Sequence, residues 1–350
     1  MPLPPLFGHE GVKNRLSGAV RSGRLPQALL FEGPRAVGKQ RLALWLAQLL
    51  VCDDGGCGEC QACRMVATLQ HPDVHWFVPL ELSKKGADAD KQVDLVAEAL
   101  AEEMTARREQ PLYGTPGGLA SHGIAAVRLL LRRLALTPVL SRRKVFIVGD
   151  AERLIPQRGM EDAANALLKA LEEPPADTVI VLTAADPDGL LPTMLSRVVR
   201  VRVARVVDSV VAAFAQQVLA VTGKVELAQR VSVAEGCIGR LLATEGDQEV
   251  ANRRAEQMIE GGRTSAAARY ALALSQMPFQ ARGGFAEMLD ALARRLRTET
   301  KSGGGAAGEA VGETKKLVEA IARVMEAREL AQGNVNPQLL TAVLAEDLAL

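Results

Sequence analysis

The chain has 350 residues and a formal net charge of +1, with 48% apolar, 24% charged and only 3% aromatic residues. This length suffices for two or three domains, and the shortage of aromatic residues favours cores of Leu, Val and Ala carried on helices. The near-neutral charge excludes a chain that is drawn as a whole to nucleic acid, so any DNA contact must be local or shared with partners. The sequence has no apolar run long enough to span a membrane and no signal-peptide pattern, so we expect a cytoplasmic protein.

A lead-in helix is predicted over residues 6–26, followed by a buried strand, a glycine-bounded loop and a second helix. The loop has the spacing Gly33-x-x-x-x-Gly38-Lys39, which is typical of a phosphate-binding P-loop. Its glycines let backbone N–H groups curl around an anion, and Lys39 would reach the outer phosphates. Gly33, Gly38 and Lys39 are therefore the candidate nucleotide-binding residues.

The residue after Lys39 is wrong for an ATPase. The motif continues with Ser or Thr, whose hydroxyl binds Mg²⁺, and this chain has Gln40 instead. An amide on a longer stem is a poor replacement at a tight octahedral ion. The loop thus has the shape of a nucleotide site without one of its working parts, and ATP binding is doubtful.

Four clustered cysteines follow the P-loop helix, with the spacing C-x4-C-x2-C-x2-C: Cys52, Cys57, Cys60 and Cys63. Four thiolates with glycines between them suit tetrahedral Zn²⁺ and leave no position open for chemistry. The spacing predicts a structural zinc module over residues 52–63. An iron–sulfur cluster is the less favoured alternative.

A second strand is predicted at 74–78, and then a polar stretch from about residue 80 to 123. We interpret this stretch as a surface insertion, with a possible helix over 93–104, and favour a solvated loop of no specific function.

A helix from Ile124 leads to an apolar strand that ends in Asp150-Ala151-Glu152. In P-loop proteins the Asp of such a strand supports Mg²⁺. An active ATPase has a second acid next to it to polarise water, and here that neighbour is Ala151. Strand alternation would point Glu152 to the face opposite position 151. Two altered positions, 40 and 151, argue for lost hydrolysis.

The helix predicted over 161–173 ends in two carboxylates, Glu172 and Glu173, at the negative end of its dipole. This marks either a functional surface or a solvated acidic end. Strands over 178–183 and 198–203 complete a mostly parallel, doubly wound α/β layer across residues 1–203. The remainder is helical, with a small unit over 204–247 and a final block over 248–350.

Several motifs together resemble those of bacterial clamp-loader AAA+ subunits. They are, in order, Phe7-Gly8-His9-Glu10, the altered P-loop, the four cysteines, Asn165 to Pro174 and Leu191 to Arg197. The resemblance implies a P-loop AAA+ domain over 1–203 with a zinc-binding insertion, a helical lid domain over 204–247 and a helical collar domain over 248–350. It also implies a role for Ser196-Arg197-Val198, which stands where the family has Ser-Arg-Cys: Arg197 acts in trans as an arginine finger on the ATP of a neighbouring subunit.

Within this family, Gln40 and Ala151 favour the delta-prime branch over the gamma/tau motor branch. The delta-prime branch usually has a degraded nucleotide site. The implied role is that of a non-hydrolysing subunit within the DNA polymerase III holoenzyme. It would join motor subunits and a clamp-opening subunit in loading the sliding clamp onto primed DNA. An active gamma/tau-like ATPase is the alternative. A stand-alone zinc nucleic-acid-binding protein is disfavoured by the neutral charge and scarce aromatic residues.

Overall fold

The fold is centred on five short parallel strands: β1 Ala28–Glu32, β2 Val74–Phe77, β3 Lys144–Val148, β4 Thr178–Ala184 and β5 Val199–Arg202. They pair in the order β2-β3-β4-β1-β5, so β1 lies between β4 and β5. The side chains of β3 and β4 are buried throughout, as expected of parallel strands covered on both faces. The predicted parallel α/β fold is confirmed.

The computed structural model describes residues 2–81, 88–113, 120–155, 161–242, 245–262, 264–276, 284–302, 310–331 and 335–347. Two compact units are present, one of residues 1–116 and 120–242 and one between 243 and 350. The predicted boundaries at 203 and 247 are not tested by this division and stay predictions. None of the described helices is long and apolar enough to cross a membrane.

The first unit contains nine described helices. They are α1 Glu10–Arg21, α2 Lys39–Val51, α3 Gln61–Ala67, α4 Ala89–Glu109, α5 Ile124–Leu134, α6 Asp162–Glu172, α7 Pro192–Leu195, α8 Asp208–Gln217 and α9 Lys224–Ala234. Short 3₁₀ segments lie at Ala151–Leu154, Pro187–Gly189 and Ile238–Leu242. Helix α2 begins directly after the glycine-bounded loop, and its fully buried Leu42 and Leu46 fix it against the sheet.

Helix α4 corrects our interpretation of the polar stretch over 80–123. Residues 82–87 and 114–119 of that stretch lie outside the described residues. The helix expected over 93–104 is present and longer, and it packs against α5 with Val93, Val96 and Leu100 buried. The solvated-loop interpretation is therefore wrong for this helix, which covers the β2 side of the core with one apolar stripe.

The second unit is built from helices alone. They are α10 Glu245–Gly262, α11 Ala266–Leu274, α12 Gly284–Ser302, α13 Ala310–Leu330 and α14 Pro337–Asp347. Helix α12 packs on α10 and α13, and α11 packs on α14. Leu289 and Leu292 of α12 are fully buried and form the centre of this core.

The connection between α5 and β3 is held by one buried carboxylate, that of Asp73. It accepts the N–H groups of Val139, Leu140 and Ser141 at 2.6, 2.8 and 2.7 Å. Burial disfavours the charged carboxylate, but the three N–H groups outweigh it and lower the pKa of Asp73 below its ordinary value. Because Asp73 directly precedes β2, the contact also fixes the approach of β2 to β3.

We expect Asp73→Asn to lower the free energy of unfolding at pH 7 by about 1–3 kcal/mol, because a charge-assisted acceptor of three N–H groups is lost. A carboxyl whose pKa is lower when folded stabilises the fold above its unfolded pKa of about 3.9, and this stabilisation is lost as pH falls through the folded pKa. Denaturant unfolding of both proteins between pH 7 and pH 2.5 measures the difference. A gap that does not shrink below about pH 4 would contradict the assignment.

Candidate nucleotide and metal sites

The glycine-bounded loop follows β1, a central strand, at the carboxyl edge of the sheet. The carboxyl ends of β3 and β4 meet at the same edge and bring Asp150 and Thr183 together. The Asp150 N–H donates to Thr183 Oγ1 at 3.0 Å. Chain order and parallel pairing thus place the loop and Asp150 in one cleft, as the motif requires.

The loop has the conformation that its glycines predict. Gly38 has φ 108° and is followed at once by the first turn of α2. Gly33 approaches the backbone so closely that a Cβ there would lie 2.2 Å from the Val203 carbonyl oxygen. Another residue at Gly33 would therefore require movement of the chain, and at Gly38 it would have a strained backbone.

The Lys39 ammonium is turned inward onto its own loop. The side chain is buried, and Nζ donates to the carbonyl oxygens of Gly33 and Pro34, each at 2.8 Å. Burial lowers the pKa of Lys39, and the nearby carboxylates of Glu152 and Asp150 oppose that shift. A phosphate group at this position would have to compete with the two carbonyls for the ammonium.

Gln40, the second residue of α2, packs closely against Gly149. A Cβ at position 149 would lie 2.8 Å from the Gln40 amide atoms. Two hydrogen bonds hold Gly149. Its N–H donates to the Phe77 carbonyl at 2.8 Å, and its carbonyl accepts the His122 Nε2–H at 2.6 Å. Burial lowers the pKa of His122 to about 4, so the ring is neutral at pH 7. The Gln40 amide, packed on Gly149, thus occupies the place of the Ser or Thr hydroxyl of the P-loop motif.

Glu152 differs from our expectation. Strand β3 ends at Val148 and the chain turns at Asp150, which has φ 51°, into a 3₁₀ segment, so strand alternation does not apply. Ala151 is fully buried, and Glu152 Oε1 accepts the Ala185 N–H at 3.0 Å. Burial and the neighbouring Asp150 raise the pKa of Glu152. The Glu152 carboxylate thus connects the turn to the end of β4. The position of the water-polarising acid is occupied by Ala151.

Two further groups hold the loop. The sequence predicted this role for neither, although His9 belongs to the motif Phe7-Gly8-His9-Glu10. The His9 Nε2–H donates to the Val37 carbonyl at 3.0 Å, and the Gly239 N–H donates to the Ala36 carbonyl at 2.8 Å. The cavity beside the loop measures about 160 Å³, below the roughly 300–1,000 Å³ of ordinary small-molecule pockets. The cavity therefore has room for only a small group.

The four cysteines converge, as their spacing predicts. Their sulfur atoms lie within 4.8 Å of one another. The Cys52–Cys57, Cys52–Cys60 and Cys57–Cys63 sulfur pairs are 3.7, 3.6 and 3.9 Å apart. A tetrahedral ion with bonds of about 2.3 Å requires sulfur separations of about 3.8 Å. The cluster therefore could hold a metal ion such as zinc.

The backbone around these cysteines favours thiolates. The N–H groups of Cys60 and Cys63 donate to the sulfur atoms of Cys57 and Cys60, both at 3.4 Å. Burial opposes ionisation of Cys52, but the N–H groups of Cys57 and Gly56 outweigh it and lower its pKa to about 6. Burial raises the pKa of Cys63 to about 12. A divalent cation would hold all four as thiolates.

Arg197 and Ser196 lie between the end of α7 and the start of β5, and neither lines the cavity beside the loop. Arg197 Nε donates to Glu172 Oε2 at 3.2 Å, and its Nη1 donates to the Thr193 carbonyl at 2.9 Å. The Arg197 side chain remains 31% exposed. The Ser196 hydroxyl donates to the Thr193 carbonyl at 3.0 Å. The acidic end of α6 thus has a partner, because Glu172 orients this arginine.

Comparison with known proteins agrees with the sequence motifs. A delta' subunit of DNA polymerase III from Bacillus subtilis (strain 168) is 32% identical over 189 residues, which cover 53% of this chain and 44% of that protein. The delta' subunit of Pseudomonas aeruginosa PAO1 is 34% identical over 177 residues, covering 49% and 42%. The gamma/tau subunit of Mycobacterium tuberculosis H37Rv is 32% identical over 197 residues, covering 55% and 27%.

The chain spans less than half of the length of each of these relatives. A family model described as DNA polymerase III, delta subunit matches residues 8–206, which include the P-loop, the four cysteines, the Asp150 turn and Arg197. This match extends over more than half of the chain. The protein therefore belongs to the DNA polymerase III, delta subunit family.

Proposed function

We propose that this protein is a non-hydrolysing, delta-prime-like subunit of a clamp loader. The observation that carries the proposal is the altered catalytic cleft. Gln40 packs against Gly149, Ala151 is buried, and the Lys39 ammonium is bound to loop carbonyls. The P-loop shape is retained without the groups that hold Mg²⁺ and polarise water.

The partners follow from the same proposal. The chain would assemble with motor subunits and a clamp-opening subunit and support ATP-dependent loading of the sliding clamp onto primed DNA. The similarity to subunits named delta' and gamma/tau supports a place in such a complex. The net charge of +1 is consistent with DNA contacts shared with partners. A cytoplasmic location would accompany this role.

A gamma/tau-like ATPase motor is the second candidate, because the similarity to the Mycobacterium tuberculosis gamma/tau subunit has nearly the same identity. That role requires hydrolysis in this chain's own cleft. The residues at 40 and 151 oppose it, since neither an amide packed on a glycine nor a buried methyl group can replace the missing hydroxyl and acid.

We propose Zn²⁺ as the ion of the cysteine cluster, with Cys52, Cys57, Cys60 and Cys63 as its four ligands. A bound zinc ion would supply structural cross-linking and no reaction chemistry, because four thiolates close its coordination shell. It would tie the end of α2 to the start of α3, where Cys52 follows one helix and Cys60 caps the other.

We propose Arg197 as an arginine finger in trans. A chain without hydrolysis of its own has little internal use for such a group. The guanidinium is partly exposed and is oriented by Glu172 and the Thr193 carbonyl. A planar fork of N–H donors is suited to the charge that develops on a transferring phosphoryl group.

The isolated chain is expected to hydrolyse ATP no faster than a buffer control, because the Mg²⁺ hydroxyl and the water-polarising acid are both missing. Phosphate release by purified protein measures this. Lys39→Ala is the control, since it should leave the background rate unchanged. Robust turnover that Lys39→Ala abolishes would contradict the proposal and favour the motor candidate.

Purified protein should contain one zinc ion per chain by elemental analysis. Cys60→Ser should reduce the zinc content well below one and lower the melting temperature, because metal binding contributes folding free energy. Cys237→Ser, at the lone buried cysteine outside the cluster, should keep its zinc. Zinc-free native protein, or full zinc in the Cys60 variant, would overturn the assignment.

Arg197→Ala should preserve folding, zinc content and assembly but lower the DNA- and clamp-stimulated ATPase of the assembled complex and impair clamp loading. A finger in trans is worth about 10³–10⁵ in rate at the site that it completes. Arg197→Lys should restore little, because an ammonium lacks the planar fork. Arg200→Ala, at an exposed arginine of the following strand, is the matched control. A mutant complex at the wild-type rate would refute the role.

A further inference from the structure

A cavity of about 280 Å³ lies at the β2 edge of the sheet in the first unit. Strand β2 ends the strand order, so one side of it has no described strand to pair with. Helix α4 packs against α5 and leaves this space beside β2 unfilled, and α2 and α3 supply the remaining walls. The P-loop residues and Arg197 do not line this cavity, so it is distinct from the sites described above.

One wall of the β2-edge cavity is apolar. Leu44 of α2, Val66 of α3 and Leu100 of α4 line it, and each is at most 4% exposed. Ala97 and Met104 extend the wall on the same face of α4, at helical spacing from Leu100. Because packed interiors leave few voids larger than a water molecule, a space of this size indicates room for an apolar ligand group.

The polar lining of the cavity is positively charged. Arg108 of α4 and Arg133 of α5 line it, and no carboxylate does so in the part of the chain that the structure describes. Arg108 Nη2 donates to Thr105 Oγ1 at 2.6 Å. Arg133 is half-buried with its guanidinium 5.9 Å from the centre of the Phe77 ring, and no described residue offers it a hydrogen bond or an ion pair. A half-buried guanidinium without a counter-charge favours an anionic ligand.

His75 of β2 adds a neutral polar group beside this charge. Its ring stacks on Phe146 with the ring centres 4.7 Å apart, and it makes no hydrogen bond with the described residues. Burial lowers the pKa of His75 to about 4, and the charge of Arg133 contributes to the shift. The ring is therefore neutral at pH 7 and has one N–H to donate. Since Arg133 acts on His75 and both line the cavity, the two groups can reach one small ligand.

We propose that the β2-edge cavity binds a small amphipathic carboxylate, with its apolar tail against the α4 wall and its carboxylate on Arg133 and the His75 N–H. A guanidinium donates to a carboxylate through a planar fork, and a single negative charge matches the unpaired Arg133. A cavity of about 150 Å³ holds benzene, which has six non-hydrogen atoms. The 280 Å³ here accommodates about eleven by proportion, the size of a medium-chain fatty acid.

The test titrates full-length protein with octanoate by calorimetry, at pH 7 and constant ionic strength. We expect saturable binding of one octanoate per chain. Octanamide has the same length without the charge and should bind at least tenfold more weakly, as expected when hydrogen bonds to a charged group are lost. Hexanoate, which is two methylenes shorter, should also bind about tenfold more weakly.

Two variants locate the ligand. Arg133→Gln should weaken octanoate binding at least tenfold and leave octanamide binding unchanged, whereas Arg132→Gln, at an exposed neighbour that does not line the cavity, should have less than a twofold effect. Ala97→Leu places a larger side chain in the cavity and should abolish binding. Ala99→Leu, at a position of α4 outside the lining, is its control. Thermal unfolding checks that each variant is folded.

Three outcomes would overturn the proposal. They are an absence of saturable octanoate binding, equal affinity for octanoate and octanamide, and wild-type affinity in either Arg133→Gln or folded Ala97→Leu. If Ala97→Leu does not fold, Arg133→Gln and the octanamide comparison remain decisive. The result is independent of the proposed clamp-loader function, because none of the residues invoked there lines the cavity.

Discussion

The first unit depends on the hydrogen bonds that hold the P-loop. In an anion-binding loop the N–H groups face a phosphate and the lysine reaches toward it. Here the Lys39 ammonium instead binds the carbonyls of Gly33 and Pro34. The His9 ring and the Gly239 N–H donate to two further loop carbonyls, those of Val37 and Ala36. These donors keep the loop curled. They come from the loop's own lysine, from the segment before α1 and from the 3₁₀ segment after α9, so the loop connects three parts of the chain.

Local patterns were sufficient for the sheet and for the metal cluster. Short runs rich in apolar residues between helical stretches predicted β1 to β4, because buried parallel strands carry their signal in consecutive residues. The predicted β5 differs, since it alternates Val and Arg at the edge of the sheet with three of its four residues exposed. The cysteine spacing predicted their convergence for a similar reason, since ligands two to four residues apart meet in one turn. Both inferences needed no knowledge of which distant segments pack together.

Prediction failed where the outcome depended on packing between distant segments or on one backbone angle. The buried stripe of Val93, Val96 and Leu100 is spaced among charged residues, so only contact with α5 distinguishes its helix from a solvated one. Glu152 was assigned to the wrong geometry because the left-handed turn at Asp150 ends the strand pattern.

The pairing of Glu172 with Arg197 explains how an unfavourable helix end can persist. A carboxylate at the negative end of α6 is destabilising by itself, and the adjacent guanidinium offsets this. The pair is partly exposed, with 31% and 58% of the two side chains accessible, and such pairs contribute only about 0.2–1 kcal/mol. A contact of that strength orients the guanidinium but is weak enough to be exchanged for another acceptor. An arginine proposed to act in trans needs this property, because its N–H fork must leave Glu172 for a phosphoryl group that binds it more strongly.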